Sequence, residues 1–239
     1  MKLSGLIGAP ALLALALTCG AAAYAQQPPP ADALSDPTMK GKEVIAFIGV
    51  KPGDKVADIV AGRFVRAFIQ AIGPNGKLYA VEPAEVVKVH PEVVAMLKPA
   101  TSAPNSNVIL STDPIDATAL PIGLDAVFIR QNYHDLHDKF MGPADVAKFN
   151  KAMFAALKPG GVYVVLDHAD AAGSGLKSTD TLHRIDPATV KSEIEAAGFK
   201  FDSESTILAN PADDHTKNVF DPSIRGKTDQ FLYKFRKPG

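Results

Sequence analysis

The chain has 239 residues, 25 basic against 26 acidic side chains, and a net charge of −1 with histidine neutral. That balance, with no dense Lys/Arg block, gives no field to attract nucleic acid or an anionic membrane, so neither is expected as a partner. The single cysteine, Cys19, lies in the N-terminal apolar run, which leaves the remainder without a disulfide, a thiolate nucleophile or a cysteine metal ligand.

In chain order, Lys2 precedes an apolar small-residue run that closes on Ala23, Tyr24 and Ala25, a small-x-small cleavage pattern. Residues 1–25 therefore read as an export signal cleaved after Ala25, which places the protein in the periplasm or outside the cell with no stable membrane insertion after cleavage. The rival reading, lipidation at Cys19, meets Thr18 where a lipoprotein signal wants Gly, Ala or Ser. Residues 26–37, QQPPPADALSDP, are proline-rich and polar and read as an extended tether. One domain is expected over residues 38–239, opening with a short helix near 38–48.

Apolar runs of strand length then alternate with stretches of helical period. Strands are predicted at 55–61, 77–82, 107–112, 124–130 and 161–167, each β-branched or aromatic and bounded by turn residues. Phe64, Phe68 and Ile72 mark a helix ahead of a Gly73–Gly76 turn. Val146, Phe149, Met153 and Leu157 mark another that stops at LKPGG. Asp186 and Pro187 open a third, through Val190 and Ile194 to Gly198. The last two runs, 199–208 and 229–236, have no convincing helix between them and suit an antiparallel hairpin. The expectation is an α/β, Rossmann-like, doubly wound and mostly parallel seven-stranded sheet with an antiparallel edge hairpin.

Ligands of such sheets bind beyond the carboxyl ends of the strands. Motifs there resemble those of class I S-adenosylmethionine-dependent methyltransferases. VADIVAG (56–62) resembles the first motif, starting at Asp58; VEP (81–83) puts Glu82 where the family's acid holds the ribose; DATALP (116–121) resembles the adenine-contacting segment, with Asp116 as its acid; LKPGG (157–161) resembles the lead into the fifth strand. More narrowly, NYHDLH (132–137) and the tail 214–231 resemble a group of exported methyltransferase-like proteins, and the resemblance covers the whole chain after the signal. It implies S-adenosylmethionine as cofactor and a small-molecule methyl acceptor, with Asp58, Gly62, Glu82 and Asp116 as the cofactor-binding residues. The family's loop reads acid-x-Gly-x-Gly-x-Gly, whereas this chain carries Val60, Gly62 and Phe64 at the glycine positions. A modified cofactor site, a plain strand-to-helix corner with Gly62 serving the turn, and a shortened loop that brings Arg63 to the helix mouth all remain open.

Four of the six histidines, His134, His137, His168 and His183, fall at the same predicted edge. Imidazole titrates near neutral pH and suits a general base for methyl transfer. His134, its tautomer fixed by Asp135 or another carboxylate, is the first candidate, with His168 and His183 next and Tyr133 and His137 at the acceptor wall. The alternative is an exported methyltransferase-fold protein without methyl transfer, binding a ligand or acting as a metal-dependent enzyme through its histidines. His134 and His137 with Asp135, Asp138 or His168 would then approach a two-histidine, one-carboxylate site for a divalent metal.

Overall fold

A computed structural model describes residues 31–239; the expected export signal, Cys19 and the start of the expected tether lie outside the described residues. The chain runs α1 (Gly41–Ile48), β1 (Lys55–Ile59), α2 (Val65–Ile72), β2 (Lys77–Val81), α3 (Ala84–Val89), α4 (Glu92–Thr101), β3 (Val108–Ser111), β4 (Leu124–Arg130), α5 (Val146–Ala156), β5 (Leu157–His168), α6 (Thr179–Leu182), α7 (Pro187–Ala196), β6 (Lys200–Ser205) and β7 (Gln230–Arg236). The strands form one sheet in the order β3-β2-β1-β4-β5-β7-β6. β1 to β5 are mutually parallel, and β7 pairs antiparallel with both β5 and β6. The predicted fold class and the edge hairpin are therefore observed. Among the described residues no helix is long and apolar enough to cross a membrane.

Strand alternation divides the interior into two cores. Val56, Ala80, Phe128 and Val164 meet Val44 and Ile48 of α1 and Phe68 and Ile72 of α2 on one face. Ala57, Val127 and Val165 meet Phe149 and Met153 of α5 and Val190 and Ile194 of α7 on the other. Both helical stripes expected from the sequence are thus core faces. Phe64, which stands at a family glycine position, turns inward: its ring lies 5.2 Å from Phe128 and 6.4 Å from Phe68 between centroids. Asp186 caps α7 through the Ala188 N–H, with Pro187 in the first turn.

Three local departures have physical causes. LKPGG does not separate helix from strand; α5 stops at Ala156 and β5 begins at Leu157, with the glycine turn absorbed as an irregularity against β4. Gly160 takes φ 78°, and a Cβ on Gly161 would lie 3.1 Å from the Leu124 carbonyl, so both glycines serve this bulge. α3 and α4 were not expected, because the segment is rich in valine and broken by prolines, and packing of Val86 and Leu97 outweighs that propensity.

The tether reading also stops short of residue 32. The Ala33 N–H donates to the Arg63 carbonyl, Ala33 is buried, and Arg66 pairs with Asp32 at 2.7 Å. The segment is held because Gly41 lets it approach: a Cβ there would lie 2.0 Å from the Ala33 carbonyl oxygen. Gly41→Ala is expected to cost about 1–3 kcal/mol and to lever residues 32–36 off α2. Urea denaturation with limited proteolysis checks both, and unchanged stability would contradict the packing described.

Candidate functional site

The carboxyl ends of the parallel strands carry an unusual density of buried charge. In a sheet covered on both faces these ends are apolar unless a polar group has a partner. Here β1 contributes Asp58, β2 is followed by Glu82, β4 ends in Arg130, and β5 ends in Asp167 and His168. Asp58 is 2 % exposed and Glu82 1 %. Register places Asp58 beside Ala80 on one neighbour and Phe128 on the other, so it shares a face with Arg130. Asp167 falls on the opposite face by alternation.

Burial, then the charge of Asp58, pushes the Glu82 carboxyl up to about 8. Burial likewise raises Asp58 to about 8, against the pull of the Gly62 backbone N–H and the Arg130 guanidinium. Arg130 is lowered to about 10 by burial and by the nearby Arg63, with Asp58 and Asp167 resisting. Neither carboxylate oxygen of Glu82 has a hydrogen-bond partner, and Asp58 Oδ2 has none. A buried carboxyl left in that state costs more than a typical hydrogen bond contributes.

The loop after β1 answers the glycine question. Val60 takes φ 52°, the left-handed turn that a glycine would take without strain. Gly62 faces open space, with nothing within 4 Å of where a Cβ would stand. The bulky replacements thus do not fill the place beside Gly62, because Phe64 is in the core. Arg63 does reach the mouth of α2, where its Nη1 donates to the Ala31 carbonyl at 2.8 Å.

Two adjoining hollows open at this edge. The first, about 490 Å³, is lined by Arg63, Arg130, His168, Arg225 and Thr228 together with Asp36 and Thr38 of the N-terminal segment. The second, about 400 Å³, is lined by His134, Asp135 and His183 opposite Val86, Val89 and His90. Gln131, Asn132, Val219 and Phe220 border both. Gln131 makes the turn out of β4 at φ 55°, and His183 closes α6 at φ 53°. Strained non-glycine backbone of this kind concentrates at sites where surrounding structure holds it for a purpose.

Behind the second hollow, His134 is clamped on both sides. Its backbone N–H and its Nδ1 each reach a different oxygen of Asp167 at 2.9 Å, and its Nε2 lies 3.2 Å from Asp135 Oδ1. Burial would favour the neutral ring, but the charges and hydrogen bonds of Asp167 and Asp135 outweigh it and hold His134 well above the usual imidazole range. Asp135 is held below the usual carboxylate range by hydrogen bonds from His134 and His183, against its burial. The partner expected to fix the His134 tautomer is therefore Asp167 as well as Asp135, and neither ring nitrogen is free. Asn132 Nδ2 donates to the second Asp135 oxygen at 2.6 Å. His183 Nδ1 stands 3.3 Å from His134 Nε2, and its ring meets Phe220 edge-on at 5.0 Å.

The other expected residues are placed differently. His168 faces the first hollow; burial drives it down to about 3, so it is neutral, with Nδ1 2.8 Å from the Thr228 hydroxyl. Tyr133 and His137 line neither hollow, and neither do Asp58, Gly62, Glu82 and Asp116. Tyr133 is fully buried, its hydroxyl donating to Glu193 at 2.9 Å and accepting from Asn150 at 2.8 Å, and His137 Nε2 lies 3.3 Å from Glu193. Asp116 accepts the Asp145 N–H at 3.0 Å and braces the start of α5. Sequence reasoning did not single out Asp167, Arg130 or Phe220; the first two had a legible signal, a lone charge ending an apolar strand.

No protein-family model matches the chain, and no curated protein does. Solved structures do match. A SAM-dependent methyltransferase from Aquifex aeolicus is 17 % identical with a TM-score of 0.56, covering 85 % of this chain and 95 % of its own. A possible exported protein from Bordetella parapertussis is 16 % identical with a TM-score of 0.53, covering 86 % and 68 %. The Burkholderia thailandensis 1,6-didemethyltoxoflavin-N1-methyltransferase, with its substrate and S-adenosylhomocysteine bound, is 13 % identical with a TM-score of 0.50, covering 85 % and 77 %. The seven-stranded α/β fold of this chain is thus the Rossmann-like fold of S-adenosylmethionine-dependent methyltransferases.

Proposed function

We propose that the protein is an S-adenosylmethionine-dependent methyltransferase with a small-molecule acceptor. The observation that carries this reading is Glu82: a buried carboxyl at the end of β2 with two unpartnered oxygens, lying behind the hollows rather than on their walls, which a ribose diol would satisfy with two O–H donors once the cover over it opens. The open side of Gly62 lets a ligand approach the backbone, and Arg63 and Arg130 in the first hollow offer cations to a methionine carboxylate. The bound S-adenosylhomocysteine of the Burkholderia enzyme of the same fold supports the same cofactor.

The cofactor would supply an electrophilic sulfonium methyl, and the chain has to place a nucleophile against it and remove water. In this reading the acceptor lies in the second hollow, its nucleophile toward His134, His183 and Asp135. Val89, Phe140 and Phe220 give that hollow a partly exposed apolar rim, which suits an acceptor with an apolar body and one polar reacting group. Arg130 lines the first hollow and its charge acts on the buried Asp58 behind it, and neither touches the reacting atoms. Export, with cleavage after Ala25, belongs to the same reading.

Calorimetry with S-adenosylhomocysteine tests it directly. Micromolar binding is expected, weakened about 100-fold or more by Glu82→Ala, since two hydrogen bonds to a charged group contribute about 1.5–3 kcal/mol each. Absence of binding, or equal binding by the variant, would remove the assignment.

A further inference from the structure

We propose that His134, Asp135, Asp138 and His183 form a binding site for one divalent first-row transition metal ion, of the zinc class, with an open position facing the second hollow. Each residue offers one ligand atom, and these atoms all lie within 4.8 Å of one another. The three on the wall of the hollow are closer still: 3.3 Å between His134 Nε2 and His183 Nδ1, 3.2 Å from His134 Nε2 to Asp135 Oδ1, and 3.7 Å from His183 Nδ1 to Asp135 Oδ1. Ligands bonded tetrahedrally at about 2.0–2.1 Å stand about 3.4 Å apart, so an ion fits among these atoms with little movement.

Two imidazole nitrogens crowded against one carboxylate oxygen can be read as internal hydrogen bonding alone. Asp138 is not explained that way. It is 2 % exposed, and neither of its carboxylate oxygens has a hydrogen-bond partner. The Thr179 hydroxyl, which is also close to Asp138, lies 3.4 Å from the Leu176 carbonyl. A buried carboxylate without hydrogen-bond partners, one oxygen of which lies within 4.8 Å of ligand atoms on two imidazoles and a second carboxylate, completes the donor set of a mixed nitrogen and oxygen metal centre.

The residues around these atoms orient them as the supporting groups of metal centres do. Asp167 holds His134 Nδ1 at 2.9 Å, leaving Nε2 directed at the gap, as carboxylate-histidine-metal triads do. Asn132 fixes the outer oxygen of Asp135 and turns the inner one toward the gap. His134, Asp135 and His183 line the hollow of about 400 Å³, whereas Asp138 does not, so the protein ligands lie on one side and a small molecule can reach the other. The ligand class for the open position is an oxygen or nitrogen donor on a molecule with an apolar body, matching the rim. If the methyltransferase reading holds, this is the acceptor's reacting group, which the ion would orient and make easier to deprotonate; the metal site itself does not depend on that reading.

The purified protein, stripped with chelator, is titrated with zinc sulfate by calorimetry and with cobalt(II) by visible absorption. One equivalent is expected to bind, with a ligand-field band and no displacement by excess magnesium. His183→Ala, at a partly exposed ring, should weaken zinc by about 100-fold or more, and Asp167→Asn by about 10- to 100-fold. His137→Ala and His215→Ala should bind as the parent does. No saturable binding, parental affinity in folded His183→Ala, or equal loss in His137→Ala would overturn the site. Titrating the same stripped protein with S-adenosylhomocysteine keeps the two readings apart: zinc binding without it leaves the metal site standing alone, and the reverse leaves only the cofactor site.

Discussion

Glu82→Gln is expected to make the unliganded protein more stable than the parent at pH 8–9 while nearly abolishing cofactor binding. The parent's folded state holds the Glu82 carboxyl at about 8, against an ordinary value of 4.5. Between those values the folded chain keeps a proton that the unfolded chain has released. This contribution is therefore whole below about pH 4.5 and is lost as pH rises through about 8. A gap of that size corresponds to about 3–5 kcal/mol at most, and Asp58, also raised to about 8, shares the same field, so the two do not simply add. Glutamine keeps the shape and has no proton to lose. His134, held above the ordinary imidazole range, also loses stability as pH rises, so only the difference between parent and variant isolates Glu82. Urea denaturation at pH 5, 7 and 9, in chelator, should show a falling parental stability and a flatter variant. Parallel curves would mean that Glu82 is not the strained group described. Because a ribose diol stabilises the ionised carboxyl, S-adenosylhomocysteine should release protons on binding near pH 7, measurable as a buffer-dependent heat.

The same residue shows how much was legible beforehand. VEP at the end of an apolar run marked Glu82, and the alternation of such runs with helical stripes gave the sheet, its edge hairpin and both core faces. Burial of Phe64 followed from its place in the Phe64/Phe68/Ile72 stripe as much as from its place in the glycine motif; the stripe decided, since an aromatic ring on the inward face of an amphipathic helix is stabilised by packing. The contacts that depend on distant partners were not legible. Tyr133 and His137 look like site residues in NYHDLH, yet Glu193, far along on α7, draws both away from the hollows. Asp167 reads as the last letter of an apolar strand, and only the fold brings the His134 ring to it. His183 gave no sign that it, and not His137, would join His134 and Asp135. Pairings of this range leave no periodic trace in one sequence.

Arg184 is the plainest case of such a hidden partner, and it carries the largest expected structural effect. It is fully buried, with Nε donating to the Lys217 carbonyl at 3.0 Å, Nη1 to the Ala169 carbonyl at 2.9 Å, and Nη2 paired with Asp213 at 2.9 Å. Asp213 also accepts the Asp229 and His215 backbone N–H groups. One guanidinium thus ties the end of β5 to Asp213 and Lys217 in the connection between β6 and β7, Asp213 in turn holds the far end of that connection at Asp229, and Val219 adds an N–H to the Leu182 carbonyl. That connection provides Val219, Phe220, Arg225 and Thr228 to the hollows, which gives its length a purpose. Arg184→Met removes the cation but leaves Asp213 buried, and breaking a buried pair in this way costs about 3–5 kcal/mol. The sheet should survive, because β5 and β7 pair over seven registers that do not involve Arg184. Hydrogen exchange should therefore show residues 209–228 opening while the β5 and β7 amides stay protected, with S-adenosylhomocysteine and zinc affinities falling together. A loop that stays protected, or a loss under about 1 kcal/mol, would mean that the hollows are held by the strands alone, and the roof over the site would then be incidental to it.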